Sequence, residues 1–159
     1  MPGIVGFVSK KWSSSGLLKA MVTPMLHRPT YCVSTHVQEK FACATIDLAA
    51  GRQNALATSN DGQCALIFYG AIYEEWINHE KNLAAQLLER WNQGGWKALA
   101  DLNGEYLVVI WDRTEERLTI INDRLGLKRL NYWCSDTAFA FASEVKSLAV
   151  LPEVDRTID

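Results

Sequence analysis

The sequence predicts an α+β fold made of layered antiparallel sheets. Three observations lead there. Short β-rich runs follow one another as hairpins, roughly eight strands in all. Helical segments interrupt this succession instead of alternating with it. The Gly-x-x-x-x-Gly-Lys and Gly-x-Gly-x-x-Gly signatures of doubly wound nucleotide-binding folds are absent. With 159 residues, 48% hydrophobic and 21% charged, the chain is near the length of one ordinary domain and apolar enough to bury a core.

Gly3-Ile-Val-Gly-Phe-Val8 is an apolar run of strand length that brings the N-terminal segment next to the core. Ser13 to Ser15 offer N-caps for a helix of about three turns carrying Leu17, Leu18, Met21, Val22, Met25 and Leu26, which Pro24 must kink or shorten. Tyr31, Val33, Thr35 and Val37 alternate, Glu39-Lys40 break the run, and Phe41 to Leu48 resume it, which predicts a hairpin. Residues 49–63, rich in Gly, Asn and Asp, predict a turn-rich connection into the strand Cys64 to Tyr69. Trp76, Leu83, Leu87, Leu88 and Trp91 predict one long amphipathic helix from Tyr73 to Trp91, ended by Gly94-Gly95. A shorter helix from Trp96 to Leu102 follows. Then come strands at Glu105 to Asp112 and Arg117 to Asn122 about the turn 113–116, and strands at Arg129 to Cys134 and Ala138 to Ala142. A last helix from Ser143 to Val150 meets Pro152.

Sixteen Lys and Arg against eighteen Asp and Glu give a net charge of −2, without the basic excess that nucleic-acid or acidic-membrane binding needs. No apolar run reaches the length of a membrane span and the N-terminus does not read as a signal peptide, so a cytoplasmic location is expected. Cys32, Cys43, Cys64 and Cys134 form no Cys-x-x-Cys pair and stand in apolar or β-branched stretches. They read as buried reduced thiols rather than as zinc ligands or disulfides. His27, His36 and His79 share no short spacing with a Cys or carboxylate, so no metal and no catalytic triad is expected from them. Asp123 and Arg124, beside Leu125-Gly126, read as residues that fix a turn. Trp76, Trp91 and Trp111 read as core, while Trp12, Trp96 and Trp133 are less determined.

Two stretches carry a resemblance. The first is Leu102-Asn-Gly-Glu-Tyr-Leu-Val-Val-Ile-Trp-Asp112 with Asn122-Asp-Arg-Leu-Gly-Leu-Lys128, Asn131-Tyr132 and Phe141-Ala-Ser-Glu-Val-Lys146. The second is the opening Met1-Pro-Gly-Ile-Val-Gly-Phe7, with weaker echoes at Leu26-His-Arg28, Ile46-Asp-Leu48, Phe68 to Tyr73 and Leu88-Glu-Arg-Trp91. In this order they resemble the glutaminase domain of the asparagine synthetase family, the class II glutamine amidotransferases. The resemblance implies a four-layer αββα sandwich of antiparallel sheets, the fold of the N-terminal nucleophile hydrolases. It also implies a domain over residues 1–152, with 153–159 as the start of a linker to a synthetase domain whose Ser-Gly-Gly-x-Asp-Ser loop does not occur in these 159 residues.

The same resemblance implies that the catalytic positions are degenerate. Where the family exposes a nucleophilic Cys, this chain has Pro2, which has neither thiol nor hydroxyl. The Asn that stabilises the oxyanion corresponds to Tyr69, beside the retained Gly70. An oxyanion donor contributes about 3 kcal/mol in comparable sites. The following acidic residue corresponds to Ala71. The Arg that grips the glutamine carboxylate falls at Phe41 or Ala42, and the Asp that binds the substrate amine corresponds to Glu80. Pro2, Ala42, Tyr69, Gly70, Ala71 and Glu80 thus mark a former substrate pocket with no catalytic residue, no metal and no cofactor. The function this implies is a structural or docking role for an asparagine-synthetase-like, ATP-dependent amide-forming ligase domain or subunit, with a homodimer left open. Two alternatives stand beside it: a small-molecule binding module using the former glutamine pocket, and an enzyme using the secondary amine of an exposed Pro2.

Overall fold

The computed structural model describes residues 3–12, 14–48 and 55–154. The chain divides into two compact units, Met1–Gly51 with Arg129–Asp159, and Arg52–Lys128. Each is an antiparallel sheet with helices packed on one face.

In the first unit, β1 (Gly3–Ser9) pairs with β3 (Phe41–Asp47) on one side and β9 (Ala138–Ala142) on the other. β2 (Cys32–Val37) and β8 (Asn131–Cys134) form the edges, giving the order β2-β3-β1-β9-β8. The hairpin predicted over residues 31–48 is β2–β3, registered from Cys32 opposite Asp47 to Val37 opposite Ala42. Val5 and Phe7 of β1, Ala42, Ala44 and Ile46 of β3, and Ala140 and Ala142 of β9 present one apolar face to Leu18, Met21 and Val22 of α1 (Ser14–Val22) and to Leu148 of α3 (Val145–Leu148). Mostly small residues on β3 and β9 let the helices approach closely. Gly6 is required for a different contact: a Cβ there would lie 2.6 Å from the Phe141 ring, which packs across it from β9, and 2.8 Å from the Ala42 carbonyl.

Pro24 acts as predicted. Lacking an N–H, it turns the end of α1 into a 3-10 turn at Thr23–Met25, after Thr23 Oγ1 donates to the Lys19 carbonyl at 2.8 Å. Trp12 and Trp133 resolve as a stacked pair, centroids 5.8 Å apart, with Phe7 edge-on to Trp12. The last helix is shorter than the predicted span from Ser143 to Val150. Ser143, just beyond β9, is tied to β1 instead, its N–H donating to the Ile4 carbonyl at 2.9 Å and its Oγ accepting from the Ile4 N–H at 3.1 Å. The Ser13 cap and residues 155–159 of the expected linker lie outside the described residues.

In the second unit the order is β4-β5-β6-β7, with β4 at Leu56–Thr58, β5 at Cys64–Ile72, β6 at Gly104–Asp112 and β7 at Arg117–Asn122. Strand β4 was hidden in the turn-rich stretch because three residues are too few to show alternation. The helix predicted from Tyr73 to Trp91 is instead α2 (Leu83–Gly94). Polar side chains set the start. Asn82 stays extended and its side chain accepts the Ala85 N–H at 3.1 Å, while the Gln86 side chain accepts the Asn78 N–H at 2.9 Å and donates to the Asn78 carbonyl at 3.0 Å. Residues 73–82 are thereby held as a loop, and Trp76 reaches the core from it, with the Arg90 guanidinium 4.3 Å over its ring. The expected helix 96–102 is a 3-10 turn, Gly95–Ala98, entered through Gly95 at φ 60°. Trp96 within it is exposed.

Leu66, Phe68 and Ile72 of β5 and Tyr106, Val108 and Ile110 of β6 pack against Ala84, Leu87 and Leu88 of α2, with Leu99 and Leu102. Leu87 is fully buried at the centre of this layer. Leu87→Ala should lower the unfolding free energy by about 3 kcal/mol, the usual cost of a leucine-sized core cavity, as measured by urea denaturation.

Candidate functional site

Strand β5 carries three of the sequence-predicted positions side by side. Tyr69 faces Leu107 across the ladder, Gly70 faces Tyr106, and Ala71 faces Glu105. Gly70 has φ +126°, and a Cβ there would collide with the Glu105 carbonyl oxygen and come within 2.8 Å of Tyr106 Cα. Only glycine fits this close approach of two backbones. The next side chain, Ala71, is a methyl group with no polar atom to offer.

The Tyr69 ring lies beneath a lysine. Lys128 Nζ is 5.5 Å from the ring centroid and 3.3 Å from Glu105 Oε2. Its backbone is fixed in turn by Asp123, whose buried carboxylate accepts the N–H groups of Leu125 at 3.1 Å, Leu127 at 2.9 Å and Lys128 at 3.0 Å. Gly126, at φ 64°, closes the turn with an N–H to the Asp123 carbonyl at 3.0 Å. Burial alone pushes the Asp123 carboxyl up, but the N–H groups of Leu127, Lys128 and Leu125 outweigh it and hold the group below its ordinary value of 3.8. Asp123 therefore fixes the turn, as expected. Arg124 does not pair with it and lies 3.8 Å from Asp101, both well exposed.

Of the other predicted positions, Glu80 is on the exposed 73–82 loop of the same unit, where its N–H donates to Asn78 Oδ1 at 2.9 Å. Ala42 belongs to the first unit, and its methyl is fully buried in the helix-facing core. Pro2 lies outside the described residues.

One cluster was invisible in the sequence. His27 Nε2 is 3.0 Å from Glu144 Oε1, and Lys146 Nζ is 3.0 Å from Glu144 Oε2 and 3.1 Å from His27 Nε2. Partners 117 residues apart leave no spacing signal, although both ends fall in the stretches that carry the resemblance. Burial raises the Glu144 carboxyl, and the His27 and Lys146 hydrogen bonds bring it down below its ordinary value. His36 leans on Phe41 with its Nε2 buried and unpartnered, and burial lowers its pKa. The cysteines depart in part from the buried reading. Cys43 is buried and its thiol strongly raised, whereas Cys32 and Cys64 are half-buried and Cys134 is exposed. Burial, with Asp112 and Asp61 nearby, puts the Cys64 thiol at about 11. No group of three His, Cys, Asp or Glu able to hold a metal occurs among the described residues, and no helix among them is long and apolar enough to cross a membrane.

A profile of the glutamine amidotransferase domain matches residues 1–159. The chain belongs to the glutamine amidotransferase domain family. Among curated relatives it is 26% identical over 130 residues to asparagine synthetase [glutamine-hydrolyzing] 3 of Bacillus subtilis, covering 73% of this chain and 21% of that protein. It is also 26% identical over 154 residues to asparagine synthetase [glutamine-hydrolyzing] 2 of the same organism, covering 88% and 20%. The chain thus spans about a fifth of the length of these relatives. Two solved structures share the fold at 17% identity, each over 93% of this chain and 43% of the other. They are the glutamine phosphoribosylpyrophosphate amidotransferase of B. subtilis, TM-score 0.68, and an allosteric regulatory enzyme of purine biosynthesis, TM-score 0.69. The mixed α+β architecture of antiparallel sheets is that of the N-terminal nucleophile amidotransferases.

Two outcomes follow from this geometry. Gly70→Ala should destabilise the protein by about 3 kcal/mol, combining a left-handed backbone with a backbone clash, measured by urea denaturation. The Asp123 carboxylate is held below its ordinary value, so its stabilisation is complete above about pH 4 and is lost as pH falls through the folded value. The stability gap between the parent protein and Asp123→Asn should therefore be widest near neutral pH and narrow steadily below about pH 4. A gap independent of pH over that range would contradict this.

Proposed function

We propose that this glutamine amidotransferase domain has lost glutamine hydrolysis and serves as a structural or docking module for an ATP-dependent, amide-forming synthetase domain or subunit. One observation carries the reading. Tyr69 occupies the position that the resemblance assigns to the oxyanion-stabilising Asn, and its ring is engaged by a lysine that Glu105 and the Asp123 turn hold in place. An amidotransferase needs a nucleophile to attack the glutamine amide and a preorganised donor for the oxyanion that forms. Pro2 carries no nucleophilic atom on its side chain, Tyr69 puts an aromatic ring where an amide is required, and Ala71 has no polar group.

The scaffold around these positions is kept. Gly70 retains a conformation that only glycine adopts readily, and β5 and β6 are paired along their full lengths. A fold that stands without catalytic side chains is what a docking role requires. The docking part of the proposal draws on the relatives, which are about five times as long as the matched region and are asparagine synthetases. The free cysteines fit a reducing compartment, and we place the protein in the cytoplasm.

The test is glutamate release from glutamine by the purified protein and by Pro2→Cys. Neither should exceed the buffer rate, because restoring a thiol leaves the oxyanion position and Ala71 unchanged. Turnover by the purified protein overturns the loss of hydrolysis, and turnover by Pro2→Cys alone overturns the loss of the pocket beyond the nucleophile. The docking role is tested by affinity capture with this chain as bait, read by mass spectrometry. Recovery of a subunit with a synthetase-type ATP site is expected, and its absence overturns the docking role.

A further inference from the structure

We infer that His27, Glu144 and Lys146 form a proton-operated clasp on α3, in which protonation of the His27 ring drives Lys146 off its face while the bond to Glu144 is kept. The clasp is independent of whether the domain hydrolyses glutamine. Two side chains divide the imidazole between them. Nε2 meets the Glu144 carboxylate, 3.0 Å from Oε1 and 3.1 Å from Oε2. Lys146 Nζ stands 3.1 Å from Nε2 and 3.4 Å from Nδ1. A donor on the line of the Nε2 lone pair would be far from Nδ1, so near-equal distances put the ammonium against the face of the ring. Glu144 Oε2 holds it there at 3.0 Å.

The two contacts respond oppositely to a proton. A neutral ring with its hydrogen on Nε2 donates to Glu144 and offers Lys146 an uncharged aromatic face, which a cation favours. A protonated ring still donates to Glu144, now through a charge-assisted bond, but confronts Lys146 with a like charge at contact distance. Glu144 serves both states. Burial raises its carboxyl, yet the His27 and Lys146 hydrogen bonds outweigh it and keep the group below its ordinary value of 4.5. Among side chains only histidine ordinarily changes charge between about pH 5 and 8, so of the three groups the ring is the switch.

The surroundings leave this exchange to the cluster itself. On the histidine's own segment Arg28 is exposed, and Tyr31 turns its ring edge-on to the imidazole at 6.4 Å. Of the elements packed on α3, the Thr23–Met25 turn and β9 have no titratable side chain, and α1 has only Lys19. Tyr132 and Cys134 of β8 alternate with Trp133, which is the residue packed on the helix side. The helix itself is held by few contacts. It is short, Val145–Leu148, and the Oγ of its fully buried Ser147 has no hydrogen-bond partner among the described residues. An unpartnered buried hydroxyl works against packing, so ties at the rim of α3 weigh more. Acidification changes that rim by freeing an ammonium whose side chain is already 46% exposed.

Nuclear Overhauser contacts in the whole chain read the exchange directly. At about pH 8 the Lys146 ε protons should contact the His27 ring protons, and the contact should vanish by about pH 5, in step with the titration of that ring. In Lys146→Gln, which keeps a polar arm without the charge, the contact should persist through the same titration. In His27→Asn the Lys146 ε resonances should no longer respond to pH over this range. Both side chains lie at the surface, and circular dichroism checks that each variant is folded. A Lys146 contact that survives protonation of the ring in the parent protein overturns the inference, as does its absence at about pH 8. Loss of the contact in Lys146→Gln, or an unchanged pH response of Lys146 in His27→Asn, overturns it equally.

Discussion

A single buried carboxylate organises what is distinctive in the second unit. Asp123 gives up water and accepts three backbone N–H groups within the next five residues. That exchange is favourable only because the donors converge on it, since an unpartnered carboxylate at this depth would protonate instead. From it follow the path of the 123–128 turn, the exposure of Leu125 and Leu127, and the anchor of Lys128. Through Lys128 it reaches Tyr69, so an acid at a turn governs the surroundings of an aromatic ring on β5.

Much of the fold could be read from local pattern. The strands β1, β6, β7 and β9 have alternation or apolar runs bounded by clear turns, and the β2–β3 hairpin is announced by Glu39-Lys40. Two of the failures share a cause: side chains satisfy backbone groups in ways that hydrophobic spacing does not register. Asn82 and Gln86 hold residues 73–82 in a loop although Trp76 continues the helical apolar spacing. Ser143 bonds Ile4 of β1, and α3 starts only at Val145. Strand β4 exists only because β5 is there to pair with it.

The proposed site stood in the sequence as a set of replacements rather than as an arrangement. Family resemblance singled out Tyr69, Gly70 and Ala71, and the structure adds why position 70 takes glycine: the Glu105 carbonyl leaves no room for a Cβ. It also shows that Glu105 and Lys128, present in the quoted stretches without an assigned role, lie beside Tyr69 and Ala71. The His27, Glu144 and Lys146 cluster escaped because its members meet only when the segment after the Thr23–Met25 turn and the start of α3 are brought together by the fold. Phe41 and Ala42, between which the resemblance left the carboxylate-gripping position, are both fully buried, Ala42 in the helix-facing core.

The discontinuity of the first unit has a consequence for synthesis. Strand β1 lies in the interior of its sheet, and Ile4 bonds to Ser143, 139 residues away. A ribosome releases β1 early and β9 late, so a nascent chain holds a strand with one side unpaired throughout the synthesis of the intervening unit. That intervening stretch, residues 52–128, carries its own core and sheet and can close first. With β3 on its other side, β1 keeps the edge meant for β9 open until that strand arrives, a template for mispairing that a chaperone would have to cover. Vectorial folding of this chain is therefore inside-out: the middle settles while the beginning waits for the end.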